Sequence, residues 1–140
     1  MRGVVIPGVS LAGVKIGDSE QRVRRLWGTN YVTCKYCSDS TWLFEYQSGE
    51  PLGAAARFQK GRVVAVFSLG SPAGWHTKKG LYIGDPISNV YDYFPRAWTT
   101  RCIGFDAIEM QHGHVVTAIY SSAGVVYGFA LVTPAMTPCQ

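Results

Sequence analysis

A short phrase occurs twice in this chain. Gly13-Val14-Lys15-Ile16-Gly17-Asp18 is followed by Val23, and Gly80-Leu81-Tyr82-Ile83-Gly84-Asp85 is followed, at the same distance, by Val90. Such a recurrence marks a supersecondary unit written twice, with apolar faces that must be buried against one another. It constrains architecture far more than chemistry.

Each copy opens with a turn and a short amphipathic helix. In the first, Val23, Leu26 and Trp27 have the i, i+3, i+4 spacing of one apolar face, with Asp18 or Ser19 at the cap and Gly28 at the end. In the second, Asp85 takes the cap and Pro86 the first helical position, where its missing N–H costs nothing. There Ile87, Val90, Tyr91 and Phe94 form the buried stripe before Pro95. A cysteine-bearing linker follows each helix, and then three strand-like runs. These are residues 41–47, 54–59 and 62–69 in the first copy and 103–110, 114–121 and 125–132 in the second, with Lys60-Gly61 as a tight hairpin.

The expected fold is therefore α+β. Two tandem α-β-β-β repeats, residues 13–70 and 80–132 of a single 1–140 domain, form one antiparallel sheet with both short helices packed on one face. A short edge strand is expected over residues 4–6. Ser71-Pro72-Ala73-Gly74 joins the copies too tightly for independent domains, because Trp75 follows at once and is costly to leave in water.

A net charge of +4 invites a polyanionic partner, but the cations are scattered. Arg22, Arg24 and Arg25 read as a solvated helix face, and no nucleic-acid motif is present, so no nucleic acid is expected. No stretch approaches the roughly 18 apolar residues of a bilayer span, so no membrane insertion is expected from this segment. Pro7 and Gly8 break the start too early for a signal segment, and the sequence as it stands is expected to lack its export signal.

Cys34, Cys37, Cys102 and Cys139 allow three pairings, of which one bridge per copy is the simplest. Cys34–Cys37 then clips the loop after the first helix, and Cys102–Cys139 ties the chain end to the second half of the sheet. Closing the latter loop of roughly 36 residues contributes about 3 to 4 kcal/mol in the chain-entropy model. Bridged cysteines imply an oxidising compartment, extracellular or in the cell envelope.

Positive signs of catalysis are lacking. Cys34-Lys35-Tyr36-Cys37 has the spacing of a thiol-disulfide oxidoreductase, but it follows a helix instead of opening one. His112 and His114 flank a turn glycine without a third ligand at a fitting distance. No serine sits in a nucleophile elbow, and no glycine run is followed by Lys and Ser or Thr as in a phosphate loop. No metal and no cofactor are expected. Trp42, Phe44 and Tyr46 alternate along the first strand and share one face, either core or an open contact surface.

The helix opening Gly-x-x-Ile-Gly-x-Ser, with Val four residues after the Ser, closed by Leu-Trp-Gly and followed by a meander, resembles the SmpA/OmlA outer-membrane lipoprotein domain and the β-lactamase inhibitory proteins. Gly17, Ser19, Val23 and Leu26 carry the match in the first copy and Gly84 and Val90 in the second, where Pro86 replaces the Ser. The resemblance spans residues 13–132. It implies tandem repeats with one disulfide each, and protein binding through an aromatic-rich sheet face and an acidic hairpin loop. The comparable loop here, Gln47 to Gly53, carries Glu50 at its tip. The expected function is a non-enzymatic, exported protein-binding domain whose contact residues are Trp42, Tyr46, Glu50 and Trp75. The alternatives are a structural cell-envelope component or a redox protein using Cys34 and Cys37.

Overall fold

The structure is a computed structural model and describes residues 3–45 and 53–139. Eleven strands and two helices follow in the order β1 (Val4–Ile6), β2 (Ser10–Leu11), α1 (Glu20–Trp27), β3 (Val32–Thr33), β4 (Ser40–Phe44), β5 (Ala54–Gln59), β6 (Arg62–Ser68) and β7 (His76–Thr77). The rest are α2 (Ile87–Tyr93), β8 (Trp98–Arg101), β9 (Asp106–His112), β10 (Val115–Ser122) and β11 (Val125–Val132). The architecture is mostly antiparallel sheet with two short helices, an α+β arrangement.

Eight strands form one sheet in the order β3-β4-β5-β6-β11-β10-β9-β8, and every neighbouring pair is antiparallel. The strands before α2 and those after it meet at β6 and β11, where Phe67 pairs with Ala130 and Ala65 with Val132. Lys60 (φ 50°) and Gly61 (φ 72°) are both left-handed, as are Ala123 (φ 52°) and Gly124 (φ 80°). Two successive left-handed residues match the twist of the strands they join, which is why these hairpins are so tight.

The turns before the helices are built alike. Gly17 (φ 91°) donates its N–H to Val63 O at 2.8 Å, and Gly84 (φ 93°) donates to Val126 O at 2.7 Å. Val63 and Val126 in turn donate to Asp18 O and Asp85 O, at 2.9 and 2.8 Å. Val23 and Val90 stand behind these turns with no exposed surface. Together with Trp27, Phe94 and the sheet residues Phe44, Val66, Ile108, Phe129 and Leu131, they form the larger core.

Several expectations need correction. Each helix is followed by four strands of the eight-stranded sheet, not three, because β3 and β8 lie in stretches read as linkers. β1 does not extend the main sheet; it pairs with β2 and, in parallel, with β7 in a separate three-stranded sheet. Pro86 is the N-cap of α2 without a side-chain cap, whereas in α1 Ser19 Oγ accepts from Arg22 N–H at 3.2 Å. Ile87 and Tyr91 stay exposed, since so short a helix turns only Val90 and the flanking Phe94 inward. β9 starts later than expected, leaving Ile103 fully exposed in the turn after β8.

Candidate functional site

Strand alternation gives the large sheet a second face, turned away from the helices. One transverse row on it crosses all eight strands: Val32, Leu43, Ala55, Phe67, Ala130, Ala118, Glu109 and Trp98 are successive cross-strand partners. The middle of the row is low, with Ala55, Ala118 and Ala130 fully buried, while Val32 and Trp98 at the two edges are 56% and 45% exposed. Thr41, Arg57, Ala65, Val132, Val116 and Gln111 form the adjoining row.

Part of this face is already occupied by the chain end. After β11, Thr133 donates to Val64 O at 3.0 Å, Met136 packs against the buried cluster that includes Val116, Ala118, Tyr120 and Ala130, and Cys139 is bridged to Cys102. The Tyr120 hydroxyl donates to Pro138 O at 2.7 Å, fastening this strap near its end. Tyr120 can lie there because its cross-strand partner is Gly128, where a Cβ would come within 3.2 Å of the ring and 2.7 Å of Ser68 Oγ. Burial, and then the neighbouring Tyr127 and Glu109, push the Tyr120 phenol far above its ordinary value, against a smaller opposing pull from Arg57.

The strap's hydrogen bonds and its disulfide fall on Val64 of β6, Tyr120 of β10 and Cys102. On the other half of the face stand Val32, Leu43, Ala55, Arg57 and Phe67. Arg57 Nε is buried and has no hydrogen-bond partner among the described residues. Such an orphan donor carries a desolvation cost of about 1 to 3 kcal/mol.

Of the residues expected to make contacts, Trp42 and Trp75 lie elsewhere. Trp42 is 4% exposed and Trp75 5% exposed, so both rings are core in this fold. Trp42 shares its strand face with Phe44 under α1, stacked on Tyr31 at 4.2 Å and beneath the Arg24 guanidinium at 4.4 Å. Trp75 lies against Gly3, where a Cβ would come within 2.8 Å of the ring. Tyr46 and Glu50 lie outside the described residues. Cys34 is bridged to Cys37 in the turn between β3 and β4, where Cys34 donates its N–H to Thr41 O at 2.9 Å. His112 and His114 are exposed, and among the described residues no cluster of His, Cys, Asp and Glu is placed to hold a metal ion. No helix among the described residues is long and apolar enough to cross a membrane.

Sequence reasoning missed Arg57, Phe67 and Trp98. Ala54-Ala55-Ala56 looks like filler, yet its alternation with Arg57 and Phe58 is the signal that separates a small-residue face from the core.

No family model and no curated protein matches the chain. Among solved structures, the crystal structure of a cysteine-rich secretory protein from Staphylococcus aureus subsp. aureus Mu50 is similar, with a TM-score of 0.63 at 11% identity. The match covers 92% of this chain and 48% of that one, so the chain spans about half the length of that protein. At this identity the likeness is one of fold.

Proposed function

We propose that the chain is an exported, non-catalytic protein-binding domain made of two copies of one helix-and-meander unit, related to the β-lactamase inhibitory and SmpA/OmlA proteins. The matched turns at Gly17 and Gly84 support the two-copy reading. The two disulfides, and the structural likeness to a cysteine-rich secretory protein, support an extracellular or envelope location.

The observation that carries the binding reading is Arg57. Its Nε is buried without a hydrogen-bond partner among the described residues, and Arg57 stands in the row next to that of Leu43, Ala55 and Phe67, a setting for a carboxylate or carbonyl from a partner flanked by apolar contacts. Tyr46 and Glu50 stay proposed contact residues on the resemblance alone.

The test is a comparison of wild type with Arg57→Glu and with Phe67→Ala as affinity baits for secreted and envelope proteins, after each variant's melting temperature is checked. A protein retained by wild type and lost by both folded variants supports the reading. Identical captured sets on all three baits would sink it.

A further inference from the structure

The opposite edge of the sheet carries a different kind of site. A cavity of about 440 Å³ lies between the β7–α2 turn, the end of α2 and the start of β8, within the range of small-molecule sites. Its walls include Lys79, Tyr93, Arg96, Trp98, Gln111 and His112, over an apolar base of Phe94 and Met110.

Two independent features point to a ligand. The first is the Trp98 indole, which is 45% exposed and yet anchored, because its Nε1 donates to Glu109 Oε2 at 3.1 Å. Glu109 is itself 6% exposed and accepts a second hydrogen bond from Thr100 Oγ1. A buried carboxylate thus orients an open aromatic plate, so stacking on it costs little further ordering. The second feature is charge. Lys79 and Arg96 line the cavity with His112, no carboxylate is among the lining residues, and no hydrogen bond among the described residues engages these three side chains.

We propose that this cavity binds an acidic sugar, with the apolar face of a pyranose ring on Trp98 and its carboxylate or sulfate held by Lys79 and Arg96. The polar lining favours a hydroxylated ring over a bare aromatic acid. Gln111, His112 and Tyr93 offer hydrogen-bonding groups that a purely apolar ring leaves unpaired. The site is separate from the Arg57 half-face and stands or falls independently of it.

Calorimetric titration with a hexuronic-acid trisaccharide, a sulfated hexose trisaccharide, the neutral hexose trisaccharide and benzoate tests this. The expected result is saturable binding of one or both acidic sugars, at least about tenfold tighter than the neutral one and benzoate. The stronger of the two acidic probes identifies the anionic group. Trp98→Ala, with its fold retained, and the surface pair Lys79→Glu/Arg96→Glu, at an unchanged melting temperature, should each weaken that binding by about tenfold or more. Failure of both acidic sugars to saturate, equal binding of the neutral sugar or benzoate, or wild-type affinity in the folded charge-reversed variant overturns the proposal.

Discussion

Asp18 and Asp85 do the same work in different halves of the chain: each carboxylate accepts the main-chain N–H three residues earlier, from Lys15 and Tyr82, at 2.9 Å in both cases. Each closes the turn that leads into a helix and holds Val23 or Val90 at the core. Asp18→Ala and Asp85→Ala are each expected to lower the unfolding free energy by about 1 kcal/mol. The double variant should lose the sum, since the two turns share no partner. Urea melts of the three variants check this, and a cost confined to one turn would show that the two are not equivalent.

Trp42 gives the sharpest separation of core from surface. Its ring packs between Tyr31, Phe58 and Arg24, whereas Trp98 has nearly half its surface open. Trp42→Ala should cost about 3 to 5 kcal/mol, enough to threaten folding of a domain this size. Trp98→Ala should cost far less. Thermal melts of the two variants side by side decide it; comparable losses would mean that Trp98 is held by more than the Glu109 hydrogen bond.

The helix spacing, the Lys60-Gly61 hairpin and the strands over residues 54–59 and 125–132 were legible because each has a local cause: a stripe of apolar residues, a tight turn pair, a strand-like run bounded by turn residues. β3 and β8 were not. Each is too short for alternation to register, and each exists because a neighbouring strand already presents an edge for it to pair with. The choice of face along β4 was equally hidden. Trp42 and Phe44 look as suited to a contact surface as to a core, and only the tertiary position of α1 above them decides. Arg57 was missed for the same reason, since a lone arginine after three alanines acquires meaning from β6 and β4 beside it. Trp98 is an aromatic in a stretch read as linker, and its anchor, Glu109, is a distant cross-strand partner.

The disulfides should differ in weight. Cys102–Cys139 closes a separation of 37 residues and fastens the strap, whereas Cys34–Cys37 closes a separation of 3 within a turn. In the chain-entropy model the long bridge contributes about 4 kcal/mol and the short one about 2. Cys102→Ser/Cys139→Ser should therefore lose about twice as much stability as Cys34→Ser/Cys37→Ser. It should also speed amide exchange around Tyr120, where the strap's hydrogen bond is released. Equal losses in denaturant melts, with no local change in exchange, would show that the strap holds without its bridge.

Tyr120 predicts an alkaline signature. Its phenol, raised by burial first and by Tyr127 and Glu109 after that, stays protonated in the folded chain at a pH where the unfolded phenol ionises, near 10. In that window the folded state binds more protons than the unfolded state. Stability is therefore fully present below about pH 10 and falls as pH rises, by up to about 1.4 kcal/mol per pH unit from this residue. Tyr120→Phe removes the titrating group along with the 2.7 Å hydrogen bond to Pro138. The variant should be less stable by about 1 kcal/mol at neutral pH, and the gap should close within about one unit above pH 10. Tyr127, also raised by burial, titrates in the same direction in both proteins and does not create the difference. Urea unfolding of the pair from neutral pH to about 11.5 measures the gap directly. A gap that keeps its neutral-pH size over the whole range would show that the folded phenol ionises as readily as the unfolded one.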